Sequence, residues 1–180
     1  NSRDMLQGNG QDFSSLVIIG GGVVGVEFAS IYRCLGCQVT LLEAADHILP
    51  FMDREIAQRL TMILKKLGVT VEAKAMVQRI EGYPDAMTVT YTDKKGAEHQ
   101  ITAQGVLAAA GRIANLDGLF GPDFSLELDR GAVVGDEIGR TSVPHVYVIG
   151  DAKARNIQLA HVASAQGENV IADILGKRPP

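Results

Sequence analysis

The run Leu16-Val17-Ile18-Ile19-Gly20-Gly21-Gly22-Val23-Val24-Gly25 constrains this chain more than any other. Residues 16–20 (LVIIG) form a short, nearly continuous apolar run, the composition of a strand buried on both faces of a parallel sheet. From Val23 to Leu35 the period changes. Val24, Phe28, Ile31 and Leu35 recur every three or four residues, as on an amphipathic helix, and Gly36 stands where such a helix ends. Gln38 to Glu43 (QVTLLE) is a second apolar strand. Strand, glycine-rich turn, helix and strand make a β-α-β unit, which builds parallel sheets.

Gly20, Gly22 and Gly25 satisfy G-x-G-x-x-G, and the context that gives the pattern meaning is present. The motif follows a buried strand and opens a helix, Ala29 offers a small side chain for close helix-to-strand contact, and Glu43 ends the next strand 23 residues after Gly20. Gly20 suits a tight turn, Gly22 lets backbone approach a pyrophosphate, and Gly25 lets the helix lie close to the sheet. The helix start, with Val23 and Val24, presents free N–H groups and a partial positive charge to phosphate. These features point to a dinucleotide site. Glu43 at its spacing suits a ribose, accepting both adenosine hydroxyls and repelling a 2′-phosphate, although a surface acid at a strand end would occupy the same place. The nearest arginine is Arg54, so NAD is favoured over NADP.

Residues 1–15 are polar and glycine-containing, without apolar periodicity, and read as a leader or linker. A second helix is expected from Asp53, placed to cap it, to Leu67, with Ile56, Leu60, Ile63 and Leu67 on one face and Gly68 at its end. Val69 to Ala73 reads as the third parallel strand. A two-fold rhythm follows, through Val77 and Ile80, then Met87, Val89 and Tyr91, then His99 to Thr102, with turns at Gly82 to Asp85 and Asp93 to Gly96. This is an antiparallel meander, after which Gln104 to Ala109 returns to a buried strand. Asn115 to Val134, broken by Gly118, Gly121, Pro122 and Gly131, reads as a connector with a tight turn at Asp129 to Gly131. His145 to Ile149 (HVYVI) reads as one more buried strand, and Leu159 to Leu175 as a final helix.

The formal net charge is −4, there is no basic run, and no tryptophan is present, so nothing resembles an electrostatic footprint for nucleic acid or an anionic membrane. The longest apolar stretch, Leu16 to Val26, is far below the roughly 20 residues that span a bilayer. No cationic leader precedes it, and two cysteines are too few for a disulfide scaffold, so the cytoplasm is the expected compartment. Cys34 and Cys37 form C-x-x-C at the end of the first helix. With no further cysteine pair they read as packing thiols, and no metal site is expected.

Five ordered segments, LVIIGGGVVGVEFAS, LLEAADHILPFMDREIAQRL, AAAGRIAN, TSVPHVYVIGDA and QLAHVASAQGENVIADILG, resemble the flavoprotein disulfide reductases over nearly the whole chain. The last segment points within that family to the branch that oxidises dihydrolipoamide. The resemblance implies a Rossmann-like α/β NAD-binding domain at 16–112, a parallel sheet with a three-stranded antiparallel meander. Residues 113–180 would be an incomplete strand-helix segment of a discontinuous FAD-binding domain.

The resemblance also implies roles for single residues. Gly20, Gly22 and Gly25, with the backbone of Val23 and Val24, would hold the NAD pyrophosphate and Glu43 the ribose. Glu27 would lie by the nicotinamide, Val77 near the adenine side, and Gly111 with Arg112 by the nicotinamide half. Asp151 would bind the ribityl chain of FAD, with Gln158, Leu159, Ala160 and His161 near the flavin ring. A helix cap explains Asp151 as well, and a packing histidine explains His161. The parent enzyme would pass a hydride between FAD and NAD, turning dihydrolipoamide and NAD+ into lipoamide and NADH. A lipoyl-bearing protein would be its partner and a homodimer its assembly.

The chain also departs from the family. The family's first FAD glycine motif, its C-x-x-x-x-C redox pair and its catalytic His and Glu have no counterpart in this sequence, so no catalytic residue is expected here and the isolated chain is expected to be inactive. Weak FAD retention is expected, with the segment from Thr141 onward docked on a neighbouring chain or disordered. Two other readings remain open. One is a related disulfide reductase or NADH oxidase of the same fold, and the other is a stand-alone NAD-binding or redox-sensing module.

Overall fold

The computed structural model describes residues 1–7, 12–83 and 86–177, and divides the chain into two compact units, 1–111 and 112–180. The first unit is built on a four-stranded parallel sheet of β1 (Ser15–Ile19), β2 (Gln38–Glu43), β3 (Thr70–Ala73) and β7 (Gly105–Ala108), in the order β3-β2-β1-β7. Helix α2 (Val23–Cys34) joins β1 to β2 and α3 (Arg54–Leu67) joins β2 to β3. Between β3 and β7 stands a separate antiparallel sheet, β4 (Met76–Tyr83), β5 (Ala86–Thr92) and β6 (Glu98–Ala103). The mixed α/β class, with a parallel sheet and a distinct meander, is the one the sequence predicts. Of the turns expected in the meander, 93–96 is closed by Asp93 Oδ1, which accepts the N–H groups of Lys95 and Ala97. Residues 84 and 85 of the other lie outside the described residues.

Side-chain alternation explains why β1 and β2 are apolar on both faces. Leu16, Ile18, Val39 and Leu41 point into one cluster with Val26, Phe28, Ala29 and Leu64 of the helices, whereas Val17 and Leu42 point into another with Val89 and Tyr91 of the meander. Each fully buried aliphatic side chain here contributes about 1.5–3 kcal/mol.

Three expectations for this unit need correction. The stretch read as a leader or linker, of which residues 8–11 lie outside the described residues, holds regular structure, because Ser2–Leu6 form a short helix, α1, whose start is closed by a capping box between Asn1 and Asp4. Met5 and Phe13 pack on the first cluster, contacts that periodicity cannot detect. On α3 Ala57 and Leu64 are buried and Leu60 half-buried, while Ile56, Ile63 and Leu67 stay exposed. Ile56 and Ile63, each one position away from a buried residue, are turned outward. On α2, likewise, Phe28 is buried but Val24, Ile31 and Leu35 are not, because the small residues Gly25 and Ala29 set the contact line. The caps follow the reading, with Asp53 accepting the N–H of Glu55 at 2.8 Å and Gly68 adopting the left-handed conformation at φ +100°.

In the second unit β8 (Leu128–Asp129) and β9 (Ala132–Val133) form a two-residue hairpin whose turn, Arg130-Gly131, has positive φ at both residues. The turn expected at 129–131 is present, inside what reads as a connector. Helix α4 (Ala160–Ile174) follows a 3-10 turn, Gly150–Ala152. The strand expected at His145 to Ile149 does not form. His145 sits at φ +67°, Val146 N–H turns back to Val143 C=O, and only Tyr147 makes a ladder bridge, to Arg140. An apolar run becomes a strand only beside another strand, and 145–149 has a single bridging residue here. Nor is the segment after Thr141 loose. Asp173 of α4 accepts hydrogen bonds from Arg140 Nε at 2.9 Å and Tyr147 Oη at 2.8 Å, and Val148 and Val170 are buried.

Candidate functional site

The turn between β1 and α2 is shaped by what each glycine excludes. Gly20 has φ +106°, and a Cβ there would lie 2.4 Å from the carbonyl oxygen of Ala109 beyond β7. Its N–H donates to Leu42 C=O at 2.8 Å, tying the end of β1 to β2. A Cβ on Gly25 would lie 1.9 Å from the Gly20 carbonyl oxygen, so the third glycine sets how closely α2 approaches the turn. Around Gly22 nothing lies within 4 Å of a Cβ position. That space is open, and Gly22 is also the N-cap of α2, with no side chain to satisfy the first N–H groups. Those N–H groups, with the positive end of the helix dipole, form a donor set suited to an anion. Val23 and Val24 are exposed beside them, and Glu27 is exposed one turn along.

Glu43 ends β2 next to this turn and is only 9% exposed. Its Oε2 accepts the N–H of Gly21 at 2.5 Å and its Oε1 accepts the N–H of Ala45 at 2.7 Å. A carboxylate has about four lone-pair sites, so capacity remains on each oxygen. The G-x-G-x-x-G pattern leaves Gly21 as a free position, yet here side chains hem it in. A Cβ there would meet Ile48 Cγ2 at 2.9 Å and Glu43 Oε2 at 3.0 Å, while Gly21 C=O accepts the N–H of Leu49 at 2.8 Å. Leu49 adopts φ +51°, and its backbone bends so that the segment after β2 hooks under the glycine turn. The one signal for this in the sequence is the third consecutive glycine.

Val77 lies on β4 and packs against the meander-side cluster, next to a bulge between Val77 and Arg79. Two residues earlier, the Ala75 N–H donates to Glu43 C=O at 2.9 Å, which ties the start of the meander to the end of β2. Gly111, at φ +121° with open space around it, follows β7 at the end of the first unit.

Arg112, Asp151, Gln158, Leu159, Ala160 and His161 belong to the second unit. Asp151 is exposed in the 3-10 turn, and the residue before that turn is Ile149, so Asp151 does not cap it. Leu159 precedes α4 without a side-chain cap, leaving the helix's first N–H groups accessible, and Gln158 to His161 are all exposed. Two residues that sequence reading passed over, Asn156 and Gln166, bond to Gly150 beside Asp151. Cys34 is exposed and Cys37 buried, both thiols are free, and burial pushes the Cys37 thiol up. Among the described residues no helix is long and apolar enough to cross a membrane.

This arrangement, a glycine turn under an open helix N-terminus with an acid on the neighbouring strand, is that of a dinucleotide-binding α/β protein. Residues 2–167 match the model of the pyridine nucleotide-disulphide oxidoreductase family, and the chain belongs to that family. It is 38% identical over 161 residues to the dihydrolipoyl dehydrogenase of Acholeplasma laidlawii, covering 89% of this chain and 46% of that protein. To a dihydrolipoyl dehydrogenase of Bacillus subtilis (strain 168) it is 38% identical over 164 residues, covering 90% of this chain and 34% of the relative. Among solved structures it is similar to LpdA from Mycobacterium tuberculosis, with TM-score 0.82 and 27% identity over 94% of this chain and 36% of that one. The HOCl-induced flavoprotein disulfide reductase RclA from Escherichia coli superposes with TM-score 0.80 and 28% identity, covering 97% of this chain and 39% of that one. The chain therefore spans between about a third and half the length of the curated relatives it matches.

Proposed function

We propose that this chain is the NAD(H)-binding portion of a flavoenzyme, joined to one segment of its FAD-binding domain, and that the parent enzyme oxidises dihydrolipoamide. The observation that carries the reading is the pairing of an uncapped helix N-terminus at Gly22 with the nearly buried carboxylate of Glu43 at the end of β2. The residues present fit the coenzyme. Open space around Gly22 accepts a diphosphate against backbone N–H groups of Val23, Val24 and Gly25, and Glu43 has acceptor capacity left for ribose hydroxyls. Glu27, Gly111 and Arg112 are assigned to the nicotinamide half and Val77 to the adenine side. The FAD side is assigned to Asp151 and to Gln158, Leu159, Ala160 and His161.

In the balanced reaction, two thiols of dihydrolipoamide close to a disulfide. Two electrons and one proton leave as hydride to NAD+, and the second proton goes to solvent. The bound cofactors supply the hydride chemistry, while this chain's residues bind, orient and select. Glu43 selects by charge, since a 2′-phosphate would sit against its carboxylate. The relatives named dihydrolipoyl dehydrogenase support the lipoyl substrate and with it a lipoyl-bearing protein partner. The redox disulfide, the acid-base pair and a dimer contact are assigned to parts of the parent outside this sequence, so the isolated chain is expected to bind coenzyme without turning over.

The test is a titration of the chain with NADH and NADPH, read from the fluorescence of the reduced coenzyme. NADH is expected to bind more tightly. Preference for NADPH by the unmodified chain would overturn the assignment of Glu43, and no binding of either coenzyme would overturn the reading as a whole.

A further inference from the structure

Both backbone polar groups of Gly150 are held by side-chain amides. Its N–H donates to Gln166 Oε1 at 2.8 Å, and its C=O accepts from Asn156 Nδ2 at 2.8 Å. The two amides are also paired with each other. Gln166 Nε2 donates to Asn156 Oδ1 at 2.9 Å, and Asn156 Nδ2 donates to Gln166 Oε1 at 3.2 Å. Gly150 itself adopts φ +63°, and a Cβ there would meet Ala163 Cβ of α4 at 3.0 Å. A residue in the left-handed region, pressed against a helix and bonded on both sides, has little freedom left. Asp151 is the next residue, and it carries no rigid packing of its own because it is exposed. Gln166 lies on α4 and Asn156 just ahead of it, so the same clasp fixes the 3-10 turn relative to the start of α4.

We propose that Asn156 and Gln166 are positioning residues for the flavin side of the enzyme. Their amide clasp sets the place of Asp151 relative to the N-terminus of α4, so that the carboxylate meets the polyol chain of FAD already oriented. This rests on the reading of Asp151 as the FAD-side acid. Neither amide touches the cofactor in this scheme. Each acts through Gly150.

The experiment uses the full-length flavoprotein of which that reading makes this chain a portion, with FAD affinity measured from flavin released on dilution. Gln166→Leu removes the acceptor for Gly150 N–H and the donor for Asn156, and is expected to weaken FAD binding about tenfold or more. Made in an Asp151→Ala background, the same substitution is expected to cost little further, because the group it positions is gone. Unchanged FAD affinity, or a full loss repeated in the Asp151→Ala background, overturns the clasp as a positioning device. An FAD affinity untouched by Asp151→Ala, or a full-length protein that holds no FAD, overturns the underlying assignment and the proposal with it. Should Gln166→Leu not fold, Gln166→Glu takes its place. Its carboxylate still accepts from Gly150 N–H, but when ionised it offers no proton to Asn156 Oδ1. FAD affinity is then expected to rise as pH falls and the carboxyl is protonated, relative to the unmodified protein, and a profile parallel to it overturns the proposal.

Discussion

The carbonyl oxygen of Gly20 occupies the place that a side chain on residue 25 would need, 1.9 Å from an ideal Cβ. Gly25→Ala must therefore push α2 away from the turn or unwind its first residues. We expect a loss of about 1–3 kcal/mol in stability, the range for overpacking a tight contact, together with loss of NADH binding. Thermal unfolding with a parallel NADH titration checks both, and an unshifted melt would refute the packing argument.

Gly22→Ala separates space for the protein from space for the ligand. Nothing lies within 4 Å of its Cβ position and its backbone is in an ordinary region, so the fold should lose at most about 1 kcal/mol, the scale of an N-cap change. NADH affinity should nonetheless drop by about tenfold or more, since the methyl stands where a diphosphate must approach the helix start. Equal affinities for the two proteins would remove Gly22 from the site.

Glu43→Gln tests an acid with two tasks. The carboxylate holds Gly21 and Ala45 by their N–H groups, and an amide can accept at one oxygen only, leaving its NH2 facing a donor. We expect destabilisation by about 1–3 kcal/mol and a smaller preference for NADH over NADPH. Denaturant unfolding measures the first and competition between the coenzymes the second; a variant as stable and as selective as the parent chain would contradict the geometry.

The meander has its own acid dependence. A hydrogen bond from His99, followed by the N–H groups of Lys95 and Ala97, holds the Asp93 carboxyl down from 3.8 to about 2. A group whose pKa is lower in the folded state than in the unfolded chain adds stability above the unfolded value and loses it as pH falls through the folded one. The contribution of Asp93 should thus be complete above about pH 5, fall as pH drops through about 4 to 2, and vanish below about pH 2. Comparing unfolding of the chain and of Asp93→Asn across that interval isolates it: the two curves should converge at the acid end, and a constant gap would rule the effect out.

Much of the first unit was legible because its signals are periodic. Two apolar strands, a helix between them and glycines at fixed offsets define β1, α2 and β2, and the same spacing singles out Glu43. The supports of that site were not legible, because they are single contacts from irregular chain. Ile48 and Leu49 reach Gly21 from a loop without period, and Asn156 reaches Gly150 from another. The buried line of α3 was hard to read because its most buried residue, Ala57, is too small to stand out in an apolar pattern. His145 to Ile149 was misjudged for a different reason. Composition records a taste for burial, while a ladder needs a run of paired residues, and Val148 is buried where Tyr147 alone makes a bridge.

Because Glu43 already grips Gly21, the corner that would receive the coenzyme is assembled before any sugar arrives. In the proposed site one side chain would both brace the turn and read the sugar, so exchanging this acid to welcome a phosphorylated coenzyme would also slacken the turn.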